Sequence, residues 1–290
     1  MSMIDRRGFL AALPLSGLAL SAGALGAQQA VRPAASGVRA GGQRALEGIG
    51  VQLYTLRTLM ADGPDAVLAR LAAIGYTEVE LAGTYGLAPR ELRQRLDAEG
   101  LSAASSHLGI DAVRERWSET LEGAQELGQA LIVVPSIPTS EQSPESLRRV
   151  ADDFNRAGEQ ARAAGIRFGY HNHAWEVEPL ADGTRRMDLL LEWCDPDLVD
   201  WQMDVFWTVH GGADPIAYLS DHGARVTSVH IKDRTPDGTM VAAGDGAIDF
   251  RSILARASEL GLRHGFVEHD NPQDPLESVA RSYRAVAGWV

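Results

Sequence analysis

Residues Ala163 to His173 read Ala-Ala-Gly-Ile-Arg-Phe-Gly-Tyr-His-Asn-His. Three signals follow one another here: the end of an amphipathic helix, a glycine suited to close it in the left-handed conformation, and an apolar strand that finishes on polar residues. The phrase is not unique. Closing glycines recur at Gly75, Gly100, Gly128, Gly223 and Gly261. The strands this pattern predicts are Gly50–Tyr54, Glu78–Leu81, Ser102–Ser106, Leu131–Pro135, Arg167–His171, Leu198–Asp204, Val226–Ile231 and Gly265–Glu268. Helices are expected between them, over Ala66–Ile74, Pro89–Ala98, Val113–Leu127, Glu145–Ala164 and Phe250–Leu260, with a last one near Leu276–Ala287. Ser143, Asp214 and Asp274 each precede a proline, the pattern of an N-cap followed by proline in the first turn.

Strand and helix alternating through residues 46–290 imply a single (β/α)8 barrel. The rival, an open doubly wound sheet, wants a glycine-rich phosphate loop after its first strand, and Leu53-Tyr54-Thr55-Leu56-Arg57 contains no glycine. The chain has 290 residues, 45% of them hydrophobic and 23% charged, enough to bury a full core. A formal charge of −12 argues against a nucleic-acid partner, which needs a concentrated basic surface. A small neutral or hydroxyl-rich ligand fits better. Cys194 is the only cysteine, so no internal disulfide and no cysteine-based zinc motif can form.

Before the barrel, Asp5-Arg6-Arg7-Gly8-Phe9-Leu10 resembles a twin-arginine export signal, and the apolar, small-residue stretch Ala11 to Gly26 follows it. Pro14 and several glycines make that stretch a poor membrane span, and Leu25-Gly26-Ala27 offers a cleavage site. Residues 1–27 are therefore expected to be a cleaved signal, 28–45 a flexible linker, and the mature protein periplasmic with no membrane span. Loss of Asp5, Arg6 and Arg7 takes the formal charge from −12 to −13. An oligomer is left open.

Four polar residues fall at the ends of successive strands: His171, Asp204, His230 and Glu268. Each gap is about one strand-plus-helix unit, so all four side chains are expected at one rim of the barrel. Taken singly each has a plain structural explanation; together, two imidazoles and two carboxylates suit a divalent metal. Mixed ligation of this kind admits manganese, cobalt, zinc or magnesium.

From Leu46 to Val290 the chain resembles the xylose isomerase-like barrel family of sugar and sugar-phosphate isomerases and epimerases, which also includes inosose dehydratases. The resemblance rests on Gly50-Val51-Gln52-Leu53-Tyr54, Gly75-Tyr76-Thr77-Glu78-Val79-Glu80-Leu81, Tyr170-His171-Asn172-His173, Met203-Asp204, His230-Ile231-Lys232-Asp233, Gly244-Asp245-Gly246-Ala247-Ile248-Asp249-Phe250 and Val267-Glu268-His269-Asp270. It implies a divalent metal held by Asp204, His230 and Glu268. The family's first ligand, commonly Glu, is replaced here by His171. Trp207 stands where many relatives place a substrate-contacting histidine. Losing one of two metal-bound glutamates puts symmetric epimerisation in doubt.

The chemistry expected is abstraction of a proton next to a sugar carbonyl through a metal-stabilised enediolate. Glu268 is the candidate base and His171 the partner acid if it is not a ligand. Glu80 could act as base or bind a hydroxyl, a salt bridge being the alternative. Lys232 could hold an oxyanion or simply neutralise Asp233. His107, His173, Glu176 and Trp207 are candidate substrate contacts, with Trp175 beside Glu176 as a possible aromatic wall. The leading expectation is a metal-dependent sugar isomerase or epimerase; the alternative is a lyase or hydratase on a keto-sugar or keto-glycoside, reached by β-elimination from the same intermediate. A DNA-repair nuclease would want a basic face. A non-catalytic sugar-binding protein would show no metal-dependent turnover.

Overall fold

A computed structural model describes Leu46 and residues 48–290; the expected leader 1–27 and linker 28–45 lie outside the described residues. The strands are β1 (Gly50–Gln52), β2 (Glu78–Leu81), β3 (Ser102–His107), β4 (Leu131–Val134), β5 (Arg167–His171), β6 (Val199–Asp204), β7 (Val226–Ile231), a two-stranded antiparallel hairpin of β8 (Asp233–Arg234) and β9 (Met240–Val241), and β10 (His264–Val267). Eight of them close on themselves in the order β1-β10-β7-β6-β5-β4-β3-β2, every neighbour parallel. This is the (β/α)8 barrel that the recurring phrase predicts. Among the described residues no helix is long and apolar enough to cross a membrane.

The pleat sorts side chains between two environments. Outward residues such as Val51, Val79, Phe168, Tyr170, Trp201 and Ile231 are buried against the surrounding helices. Phe168 packs edge-on against Trp117 and Phe154, which come from two different helices. Inward residues are unusually polar. Gln52, Glu80, Gln202 and His230 are all essentially inaccessible to solvent, which is tolerable only if each finds a partner.

Helix boundaries follow the predicted caps. Ser143 Oγ accepts from Ser146 N at 3.2 Å, and Asp274 Oδ1 from Glu277 N at 3.0 Å. Gly165 adopts φ +78°, as a helix-closing glycine should. Gly223 differs: its φ is −58°, within a 3-10 turn, and it is small for another reason, since a Cβ there would collide with Leu260. The predicted helix over 113–127 is two helices, Ile110–Glu115 and Trp117–Leu127, broken at Arg116. The first strand is also shorter than expected. Gln52 Oε1 accepts the Tyr54 N–H at 2.9 Å, which winds Leu53–Leu56 into a 3-10 turn and brings Tyr54 to the surface.

Candidate active site

Parallel register sets the height of each polar side chain. Asp204 pairs with His230, and His230 with Phe266, so Glu268 stands just above that layer while His171 and Gln202 lie level with each other. His107, His171, His173, Lys232, Glu268 and Asp270 line a cavity of about 400 Å³ at this end of the barrel, with Tyr54 also on its wall.

Beneath the cavity lies a closed hydrogen-bond network. Glu80 Oε2 accepts from Gln52 Nε2 at 2.8 Å and from His230 Nε2 at 2.5 Å, while Glu80 Oε1 accepts from Gln202 Nε2 at 2.8 Å. Because the Gln202 amide nitrogen is given to Glu80, its oxygen must face the histidines, and it lies 2.7 Å from His107 Nε2 and 3.1 Å from His171 Nδ1. These bonds fix the His171 tautomer. With Nδ1 donating, its Nε2 carries a free lone pair, and burial followed by His230 pushes the group well below the usual histidine range, so the ring is neutral.

That lone pair points at another electron-rich atom. His171 Nε2 is 3.6 Å from Asp204 Oδ2, a fully buried oxygen that receives no well-directed hydrogen bond. A cation between or beside them reconciles the two. Lys232 is one such cation, its Nζ 3.0 Å from Asp204 Oδ2, 2.9 Å from Glu268 Oε2 and 2.9 Å from Asp270 Oδ1. A divalent ion is the other that these donors suit: ligand atoms of Asp204, His230 and Glu268 lie within 4.8 Å of one another, as do those of His107, His171 and His230. The residues present therefore fit a divalent cation, which would share two carboxylates with the ammonium.

The charges interlock. Without a divalent ion, burial works against the His230 imidazolium, but Glu80 and Glu268, the latter 2.6 Å from Nδ1, hold it up to about 10; a cation bound through Nδ1 would take the place of that proton. Burial raises the Glu268 carboxyl, yet Lys232 and His230 outweigh it and bring it to about 2. Burial keeps Asp204 above the usual aspartate range, with Lys232 offsetting part of the rise. Burial also lowers the Lys232 ammonium, but Asp204, Glu268 and Asp270 more than compensate, so it stays charged and is no nucleophile. Lys232 is also the only lysine among the chain's 27 basic residues.

The predicted site residues separate into those at the cavity and those behind it. His171, Asp204, His230, Glu268 and Lys232 converge, and His107 and His173 line the cavity with them. Glu80 does not reach the cavity; it is completely buried and its carboxyl, held well below the ordinary range by His107 and His230 against burial, braces His230 from below. Glu176, expected as a substrate contact, is placed elsewhere. Its oxygens accept from Tyr170 OH at 2.5 Å and His173 N at 2.8 Å in a fully buried spot, while the His173 side chain accepts in return from the Glu176 N–H. Trp207 stands behind His173, ring centroids 5.7 Å apart, with Lys232 Nζ 5.9 Å from the indole centroid. Lys232 does not neutralise Asp233. That carboxylate accepts four backbone N–H groups, from Arg234, Gly244, Gly246 and Ile248, and so organises the loop after β7.

Some contributors have only a faint signature in the sequence. Gln52 and Gln202 are neutral amides inside apolar runs, Gln202 two residues before Asp204 on the same face. Asn172 likewise joins strands, its Oδ1 accepting from Trp201 Nε1 at 2.9 Å and Asp204 N at 3.0 Å.

Comparison with known proteins agrees with this architecture. The family model for xylose isomerase-like TIM barrels matches residues 68–286. An inosose dehydratase of Geobacillus kaustophilus (strain HTA426) is 27% identical, over 77% of this chain and 84% of that enzyme. An inosose dehydratase of Lacticaseibacillus casei is 24% identical, over 74% and 84%. Among solved structures, a sugar phosphate isomerase/epimerase from Parabacteroides distasonis ATCC 8503 is 30% identical with a TM-score of 0.75, covering 89% of this chain and 99% of that one.

Proposed function

The chain belongs to the xylose isomerase-like TIM barrel family, and from that premise we propose that it is a carbon–oxygen lyase: it removes a proton next to the carbonyl of a keto-sugar and expels the β-oxygen. The observation that carries this reading is an asymmetry. Ionised Glu268 and the Lys232 ammonium share one side of the cavity, and the imidazoles of His171 and His173, both below their usual range, stand with them in place of a second acidic pair. Epimerisation through two opposed bases lacks a carboxylate facing Glu268, since Asp270, the other one on the cavity wall, meets the same Lys232 ammonium. Elimination needs only one base.

Glu268 takes the carbon-bound proton, and the C–H electron pair moves onto the carbonyl oxygen. Because Glu268 is held at about 2 it is a weak base, so the enediolate must be strongly stabilised. Lys232, its three N–H groups facing Asp204, Glu268 and Asp270, supplies a fixed positive charge near that oxygen. When bound by Asp204, His230, Glu268 and His171, a divalent ion would add Lewis-acid stabilisation of the same charge. The enediolate electrons then return to form the new double bond as the β C–O bond breaks. The proton on Glu268 goes to the departing oxygen, and the carboxylate is regenerated. His173, neutral and with one ring nitrogen accepting from the Glu176 N–H, offers its remaining N–H to orient a hydroxyl.

The dehydratase relatives support this reading; the similarity to a sugar phosphate isomerase/epimerase supports the second, in which the proton returns to carbon or oxygen without loss of the β-group. Incubation of keto-inositols and keto-glycosides in heavy water separates them. A product lighter by water or aglycone supports elimination, and a deuterated epimer of unchanged composition overturns it. The place of action belongs to the same proposal: Arg6-Arg7 and the apolar stretch after them support a periplasmic enzyme.

A further inference from the structure

Tyr54 is one of two large hydrophobic side chains exposed among the described residues, 43% accessible, and it is on the cavity wall. A loosely held surface tyrosine would carry no meaning, but this one is fixed from several directions. Its N–H is held by Gln52 Oε1, the side chain whose Nε2 also holds Glu80 beneath His230. Arg57 Nη1 donates to Tyr54 O at 2.8 Å and to Asp270 O at 2.7 Å, its Nη2 donates to Asn271 Oδ1 at 2.7 Å, and the guanidinium lies 4.1 Å from the Tyr54 ring centroid. One face of the ring is thus backed by a cation that is itself tied across to the loop after β10. A rigid, half-covered aromatic ring presents apolar area with little ordering entropy left to lose, the quality of a binding platform.

The charge of the cavity narrows what such a platform receives. Lys232 is the one cation on the cavity wall among the described residues, and three carboxylates already surround it. Arg57 spends both terminal nitrogens on Tyr54, Asp270 and Asn271. Away from the residues that would hold a divalent ion, a phosphate group on the Tyr54 side of the cavity would find no free cation of the protein and would meet Asp270. A volume of about 400 Å³ falls in the roughly 300–1,000 Å³ range of small-molecule pockets.

We propose that Tyr54, backed by Arg57, is a second subsite that stacks the non-reacting ring or aglycone of an uncharged glycoside while the reacting ring sits at Glu268 and Lys232. The inference rests on reading the cavity as a keto-sugar active site, and it specifies the substrate class: a neutral glycoside, rather than a free monosaccharide or a sugar phosphate.

Calorimetric titration of the metal-loaded protein with three probes that lack a ring carbonyl tests the subsite without turnover: methyl β-glucoside, phenyl β-glucoside and methyl β-glucoside 6-phosphate. The phenyl glycoside is expected to bind about tenfold tighter than the methyl glycoside, and the phosphate no tighter than the methyl glycoside. Tyr54→Phe should keep the phenyl preference and Tyr54→Ala should reduce it to within about twofold. Equal binding of the two glycosides, an undiminished preference in Tyr54→Ala, tightest binding of the phosphate, or saturation by none of the three would overturn the platform. Loss of the platform would leave the elimination reading to stand or fall on keto-sugar turnover alone, so the two failures are distinguishable.

Discussion

The Lys232 ammonium lies 3.0 Å from Asp204 Oδ2, the same oxygen that faces the His171 Nε2 lone pair. A monovalent cation of the protein and a divalent ion from solution would therefore lean on one carboxylate, and several outcomes follow from how they divide it.

Replacing Lys232 with Met should destabilise the metal-free protein by about 3–5 kcal/mol, since Asp204, Glu268 and Asp270 would lose their shared cation. Urea denaturation would read this directly. Added manganese should recover part of the loss while leaving turnover abolished. Stability equal to wild type without metal would show that the ammonium is not the balancing charge.

Divalent ions should raise the stability of the wild-type protein by about 2.7 kcal/mol when present at about 100 times their dissociation constant. Chelation should remove both that increment and the turnover. In Asp204→Asn, which replaces the orphan Oδ2 or its partner oxygen with an amide, the increment should disappear. Thermal scans with and without chelator decide it, and an unchanged shift in Asp204→Asn would place the ion elsewhere.

Glu176 gives a pH dependence with a definite sign. Burial raises its carboxyl from about 4.5 to about 8, so the folded state holds the proton more tightly than the unfolded chain. Its contribution to stability is complete below pH 4.5 and is lost as the pH rises through about 8, with a slope of at most about 1.4 kcal/mol per pH unit. In Glu176→Gln the amide can accept from His173 N and donate to Tyr170, so the stability profile between those limits should flatten. An unchanged slope would mean that the buried carboxyl is not the titrating group.

Asp233→Ala should orphan the backbone N–H groups of Arg234, Gly244, Gly246 and Ile248 and cost at least about 2 kcal/mol. Hydrogen exchange at Gly244, Gly246 and Ile248 should accelerate together. A variant with protected amides would show that the loop is held by something other than this carboxylate.

Arg6→Lys with Arg7→Lys should keep the protein in the cytoplasm if export uses the twin-arginine route. Fractionation of cells expressing the full chain would show it, and normal periplasmic recovery of the double variant would refute that route.

The barrel was legible because helix, glycine and strand repeat at a spacing that sequence preserves, and His171, Asp204, His230 and Glu268 could be grouped because charged or ionisable residues at the ends of apolar runs are conspicuous. Gln52 and Gln202 were less visible. A neutral amide carries no charge signal, and its importance lies in which of its two ends faces which partner, a property of the closed barrel. Glu176 illustrates the opposite error: a carboxylate next to the site in sequence turned away from it, because a short helical turn places its oxygens on Tyr170 and His173 N. Tyr54 looked like the end of a strand. The side chain two residues earlier captured its N–H and rotated the backbone out of the sheet.

That a chain with 27 basic residues keeps its single lysine inside the cavity has a practical corollary. Arginine does not react with acylating or reductive-amination reagents as lysine does, so among the described residues no primary amine lies on the outer surface. A protein of this make-up should resist amine coupling and non-enzymatic glycation. Any amide that does form away from the chain's α-amino group would mark a reagent that found its way to the carboxylates around Lys232.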